Sequence, residues 1–163
     1  MSATAFAARP ISTPGFHAAP HGRIERPLVP LRPDYATAPI EDGFDWAGCL
    51  ADTPTGSYYL VVFRSVRRAG TDAEMLTEFD DLAHAEARLS GGLHFYFKGE
   101  PDPARACLSL CLWDSPEQAR AALGLPRHQA AARLAREMYE TFRLERHQVT
   151  WDLPMRRAEL RML

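Results

Sequence analysis

The chain is short of lysine, of cysteine and of long apolar runs, and each shortage closes off a class of function. Lys98 is the only lysine among nineteen basic residues, and the arginines do not gather into a run interleaved with aromatics, as a surface that tracks a phosphate backbone requires. With a formal net charge of −2, nucleic acid is not an expected partner. No stretch approaches the roughly 18 consecutive apolar residues of a membrane span. Ala5-Phe6-Ala7-Ala8 is interrupted at once by Arg9 and Pro10, which is not the pattern of a secretory leader, so a soluble, cytoplasmic protein is expected. The three cysteines are too few for a disulfide framework, and Cys107 and Cys111 on one strand would stand roughly 13 Å apart, beyond disulfide reach. Buried thiols in a reducing compartment are expected. No Cys-x-x-Cys or His-Glu-x-x-His spacing occurs, and no metal site is expected.

Proline, by contrast, is abundant at one end. Residues 1–39 hold seven of the thirteen prolines and few large apolar side chains, a composition expected to be extended or disordered and to add little core. We read residues 1–56 as a Pro-rich arm, 57–151 as one domain and 152–163 as a C-terminal tail, since the length leaves room for a single domain of about 100 to 150 residues plus an extra piece. Within 57–151 the pattern is strand, helix, strand, strand, helix, strand. That order is a doubled split β-α-β unit: an α+β, ferredoxin-like β-α-β-β-α-β domain with helices on one face of a four-stranded antiparallel sheet.

The first strand, Tyr58-Tyr59-Leu60-Val61-Val62-Phe63, is apolar on both alternating faces, and such a strand needs a covering layer on each side. The helices supply one. A second copy of the molecule or the N-terminal arm must supply the other, and a homodimer is expected on this ground. In Leu93-His94-Phe95-Tyr96-Phe97-Lys98 one face is Leu93, Phe95 and Phe97 and the other His94, Tyr96 and Lys98. The turn residues Gly99-Glu100-Pro101-Asp102-Pro103 join this strand to residues 107–113 as a hairpin, and residues 143–151 read as the fourth strand.

The first helix is expected over about residues 72–89, acidic at its start and ended by Gly91-Gly92. Its inward stripe by 3.6-residue spacing is Met75, Leu76, Phe79, Leu82 and Ala83, with Glu86 inside it and His84 turned to the polar side. The six carboxylates of residues 72–86, with no Lys or Arg among them, read as a solvated helix face. Ser115-Pro116-Glu117 opens a second helical region, which Gly124-Leu125-Pro126 breaks. A last helix is expected over residues 127–142 with Ala131, Ala135, Met138, Tyr139 and Phe142 inward. Alanines beside a histidine leave room there for a pocket.

His128, in the first turn of that helix, is the candidate general base, because the positive end of the helix dipole keeps an imidazole neutral; the alternative is a core histidine bonded to a backbone carbonyl. Glu86, a carboxylate in an apolar stripe, is either a protonated acid or the partner of an arginine. Tyr139 completes the candidate catalytic set, with a hydroxyl that can donate to a ligand oxygen. Trp113, His94 and Tyr96 are candidate ligand-binding residues, against the alternatives of aromatic core and, for the two on the sheet, dimer contact.

Over about residues 57–151 the order and lengths of the elements resemble the dimeric α+β barrel superfamily, which includes antibiotic-biosynthesis monooxygenase-like, stress-response barrel and haem-degrading proteins. More narrowly, Cys107-Leu-Ser-Leu-Cys-Leu-Trp113-Asp-Ser, the Pro126-Arg-His128 step and Met138-Tyr139-Glu140 look like an uncharacterised bacterial family. The superfamily resemblance implies a homodimer whose sheets face each other, with a ligand cavity between sheet and helices in each subunit, and it carries no residue-level role. The leading expectation is a small-molecule enzyme of monooxygenase-like or lyase type acting on an apolar or aromatic metabolite without a cofactor. Alternatives are a haem-binding protein with a histidine axial ligand, and a non-catalytic dimeric binding or stress protein.

Overall fold

In the computed structural model, which describes residue 24 and residues 26–163, the doubly apolar run 58–63 lies in β1 (Gly56–Arg67), which is paired along both edges. β2 (Leu93–Lys98), β3 (Ala106–Trp113), β4 (Tyr139–Asp152) and β5 (Arg157–Met162) complete one antiparallel sheet in the order β2-β3-β1-β4-β5. The first four strands have the ferredoxin-like arrangement. The expected four-stranded sheet is thus five-stranded: residues 157–162 of the expected tail pair with β4, from His147↔Met162 to Asp152↔Arg157.

α3 (Ala73–Ser90), α4 (Pro116–Leu123) and α5 (Pro126–Met138) cover one face of this sheet. Local chemistry sets their starts: the Asp72 side chain accepts from the Met75 N–H at 2.9 Å, and Ser115 caps α4 ahead of Pro116. Gly91 and Gly92, both at positive φ, turn the chain from α3 into β2; a side chain at Gly92 would also strike the Gln118 amide. The last helix ends at Met138, four residues before the expected end, and Tyr139 opens β4. The aromatic and β-branched residues that follow, Tyr139, Thr141 and Phe142, suit a strand that β1 can pair, and that pairing overrides a helical period continued from the alanines.

The opposite face is covered by the same chain. α1 (Ile40–Gly43), α2 (Trp46–Cys49) and the turns before them bury Leu28, Ala36, Ile40, Phe44, Trp46 and Leu50 against Tyr58, Leu60, Val62, Leu108, Leu110, Leu112, Val149 and Trp151. From residue 26 onward, therefore, the expected extended arm is folded and supplies half of the main core. Its earlier part, residues 1–23 and 25, lies outside the described residues. The composition argument was drawn from residues 1–39, whereas the large side chains of the layer, Ile40, Phe44, Trp46 and Leu50, fall just beyond them in one eleven-residue stretch.

Arg64 holds this layer down. Its guanidinium is buried and donates to the Ala36 carbonyl at 2.6 Å, the Ala38 carbonyl at 2.8 Å and Glu145 Oε1 at 2.9 Å. The carbonyls belong to the turn before α1, so one buried cation fastens the covering layer to β1 and β4 together. Among the described residues no helix is long and apolar enough to cross a membrane.

Candidate functional site

The helix-covered face differs in kind from the face under α1 and α2. Ser65, Cys107 and Ser109 project from the sheet toward α3 and α5, and the Ser65 hydroxyl meets the Cys107 thiol at 3.0 Å. α3 adds a carboxylate. Its buried positions are Leu76, Ala83 and Ala87, and Asp80 falls between them at the 4-3-4 spacing of an inward stripe. The inward face is therefore rotated by roughly 80° from the expected one at 100° per residue. Met75 and Leu82 stand half-exposed, and Asp80, read from the sequence as part of a solvated acidic face, points inward.

Asp80 is the hub of the polar contacts on this face. The Tyr96 hydroxyl donates to it at 2.7 Å and 2.9 Å, one distance to each oxygen, and Lys98 Nζ lies 3.1 Å from Oδ2. Burial, reinforced by Asp80, pushes the Tyr96 phenol far above its ordinary range, so it remains a proton donor. His128, the third residue of α5, is half-buried; burial lowers its pKa below 6.5 against the opposing pull of Glu86 and Asp80. Burial thus acts in the direction of the expected neutral imidazole. Tyr139, at the start of β4, packs its ring on Phe63 at 5.3 Å, and burial with the nearby Cys107 raises its phenol. Asp80 contributes to the field at His128, Tyr96 and Tyr139 alike.

The other expected site residues go elsewhere. Glu86 Oε2 accepts the Arg127 backbone N–H at 2.8 Å. Leu125 at the N-cap offers no side-chain oxygen, so a carboxylate from α3 caps α5 across the helix pair. Its partner is an arginine's backbone rather than an arginine's side chain. Trp113 is core, 3% exposed, in a cluster with Tyr59, Ala87, Ala119 and Ala122.

A register irregularity between Leu93 and Phe95 separates the expected faces of β2. Leu93 joins the helix-side cluster, while Phe95 and Phe97 pack toward the other core. His94 is 4% exposed, its Nε2 lies 2.6 Å from Asp114 Oδ1, and its ring meets Tyr58 edge-on at 5.1 Å. Tyr96 faces the helices and meets the His84 ring at 4.7 Å. His84, expected on the polar side, is brought inward by the same rotation of α3 that brings in Asp80.

β2 is an edge strand, and around it lies a cavity of about 490 Å³ between the C-terminal half of α3 and residues 24–28. Tyr96, His94, His84, Phe95, Phe97 and Lys98 are among its walls. The expected pocket beside the alanines of α5 is thus replaced by one whose wall includes the Tyr96 and Lys98 ends of the Asp80 hub. His128 and Tyr139 do not line it; they lie on the Asp80 side. Sequence reasoning missed Asp80, Lys98 and His84, although the spacing of 76, 80, 83 and 87 was available to find the first.

Neither candidate axial histidine fits a haem: His128 does not line the β2 cavity, and His94 is 4% exposed with its Nε2 2.6 Å from Asp114 Oδ1. Among the described residues no group of three or more His, Cys, Asp or Glu side chains is placed to hold a metal ion.

The architecture defines an α+β protein of the ferredoxin-like kind with a covering layer on each sheet face. A family model described as PB2B2.08-like matches residues 24–160, and the chain belongs to that family. A curated relative, UPF0643 protein PB2B2.08 of Schizosaccharomyces pombe, is 32% identical over 102 residues, covering 59% of this chain and 46% of the relative. The chain thus spans about half the length of the curated relative it matches, and that relative is fungal, whereas a bacterial family was expected. Solved structures of similar fold include SO0527 from Shewanella oneidensis (15% identity, 56% of this chain and 90% of that one, TM-score 0.50) and a conserved protein from Methanosarcina mazei Go1 (10%, 55% and 89%, 0.50). SnoaB, a cofactor-independent oxygenase from Streptomyces nogalater, matches at 19% identity over 60% of this chain and 97% of its own, with a TM-score of 0.48. At these identities the likeness is one of fold alone.

Proposed function

We propose that the chain is a small-molecule enzyme of monooxygenase-like or lyase type, acting on an apolar or aromatic metabolite that enters the cavity around β2. The observation that carries this reading is the Asp80 hub: one carboxylate bonded to Tyr96 and Lys98 at the cavity wall and acting on His128 and Tyr139 behind it. At neutral pH the set holds one base, the neutral His128 imidazole, and two phenols that keep their protons. His128 lies behind the cavity wall, so it takes up the substrate's proton by way of Asp80, the carboxylate bonded to Tyr96 and Lys98 at the wall. Tyr96, the phenol on the cavity wall, turns its one hydroxyl hydrogen from Asp80 to the oxyanion that develops, in surroundings where burial strengthens the bond. Deprotonation is the step common to the two reaction types, because the resulting anion either expels a leaving group or passes an electron to dioxygen.

Glu86, expected as an acid, is given a positioning role here: it holds the first turn of α5, and with it His128, against α3. Oxygen uptake and product formation over a panel of phenolic and hydroquinone substrates test the proposal. His128→Gln and Asp80→Asn should each lower kcat about 100-fold or more, within the usual range for a lost general base, with unchanged far-UV dichroism. Turnover undiminished in both variants would remove the hub from catalysis.

A further inference from the structure

We infer that the ligand of the β2 cavity is an aromatic acid, a planar ring carrying a carboxylate or comparable anion. This rests on the reading of that cavity as the substrate site. Among the described residues its walls carry three fixed cations, Arg26, Arg88 and Lys98, and one carboxylate, Asp114, which is bonded to His94. Arg26 is paired with Asp52, and Lys98 with Asp80 and Asp81; none of the three carboxylates lines the cavity, so Arg88 is the cation left to face a ligand anion. Arg88 forms no ion pair among the described residues and sits exposed near the end of α3, at the cavity rim. A planar guanidinium on a partly enclosed wall favours a bidentate anion, and a concavity lined mainly by one sign of charge attracts its counter-ion.

Aromatic surfaces supply the rest. Phe95 and Phe97 stand on one side of the edge strand, Tyr96 and His84 on the other, with the His84 and Tyr96 rings 4.7 Å apart. A volume of about 490 Å³ matches a one- or two-ring ligand. The outer edge of β2 pairs with no strand among the described residues.

Fluorescence titration of the full chain with 2-naphthoate and with 2-naphthamide, which has the same rings and no charge, separates charge from shape. Naphthoate should bind at least tenfold more tightly, the gap should shrink in 0.5 M salt, and Arg88→Gln with Lys98→Met should erase most of it at unchanged far-UV dichroism. Equal affinity for the two compounds, or a gap that survives the double variant, overturns the assignment of an anionic ligand and leaves the cavity standing as a site for neutral aromatics. Binding of neither compound overturns both readings.

Discussion

The two faces of this sheet are covered by one chain in opposite chemical styles. On one, residues 28–50 bury an aromatic and aliphatic layer in which the Phe44 and Phe97 rings meet at 5.0 Å and Trp151 is fully buried; its buried ions are the Arg64–Glu145 network that fastens the layer. On the other, the helices enclose hydroxyls, thiols, two phenols, an imidazole and a carboxylate. The difference teaches a division of labour: apolar area removed from water on the first face stabilises the fold, and that stability lets the second keep ionisable groups where core would be better.

The sharpest break in this comparison would be a partner on the apolar face. A face-to-face dimer there would have to lift residues 28–50 off Leu60, Leu110 and Val149, so any dimer that sedimentation detects should leave hydrogen exchange in these strands unchanged on dilution to the single chain. A dimer whose contact maps to those strands would end the assignment of the covering layer. Next in size is Trp151→Ala, which should cost about 3–5 kcal/mol in urea unfolding, the usual range for emptying a fully buried indole site. A loss under 1 kcal/mol would mean that this face is not the stabilising one.

Arg64→Ala should cost about 3 kcal/mol by leaving buried Glu145 only the exposed Arg143 as a close partner, and it should speed chymotryptic cutting at Tyr35 as the turn is released. Glu86→Ala should cost only about 1 kcal/mol, the value of a lost helix cap, while raising KM or lowering kcat through the displaced His128. If stability falls with kinetics unchanged, Glu86 is a cap and nothing more.

The smallest effect is one of pH. Burial depresses the folded-state pKa of His128 below its unfolded value of 6.5, so between the two values the unfolded chain binds the extra proton. Its contribution to stability is therefore complete above about pH 6.5 and is lost as pH falls from there through the folded value. Unfolding free energies of wild type and His128→Gln, compared from pH 7.5 to 5, should converge toward the acid end; parallel curves would place the imidazole in solvent.

Most of the fold was legible because period and punctuation survive in the chain. Alternation marked β1 to β3, Ser115-Pro116 and Gly91-Gly92 marked helix ends, and the doubly apolar β1 required two covering layers. The errors arose where a local pattern had two readings. Residues 139–142 fit a helix stripe or a strand, and only pairing with β1 chose between them. An ambiguity of just under a quarter-turn in α3 concealed Asp80 and placed Glu86 and His84 on the wrong sides, since a stripe rich in alanine has a weak hydrophobic direction. The site was less legible than the fold because its members are far apart in sequence: Tyr96 and Asp80 are sixteen residues apart, and Arg127 and Glu86 forty-one.

By itself the sequence determined the α+β class, the strand and helix order, the capped helix starts, the absence of long apolar runs and the need to cover both faces of β1. These follow from neighbouring residues, whose spacing sets which side chains share a face. Only the tertiary structure decided that residues 28–50 supply the second layer, that residues 157–162 add a fifth strand, and that Asp80 meets Tyr96 and Lys98. Those outcomes depend on long-range pairing and on the rotation of a helix about its axis, which packing selects and local pattern leaves open.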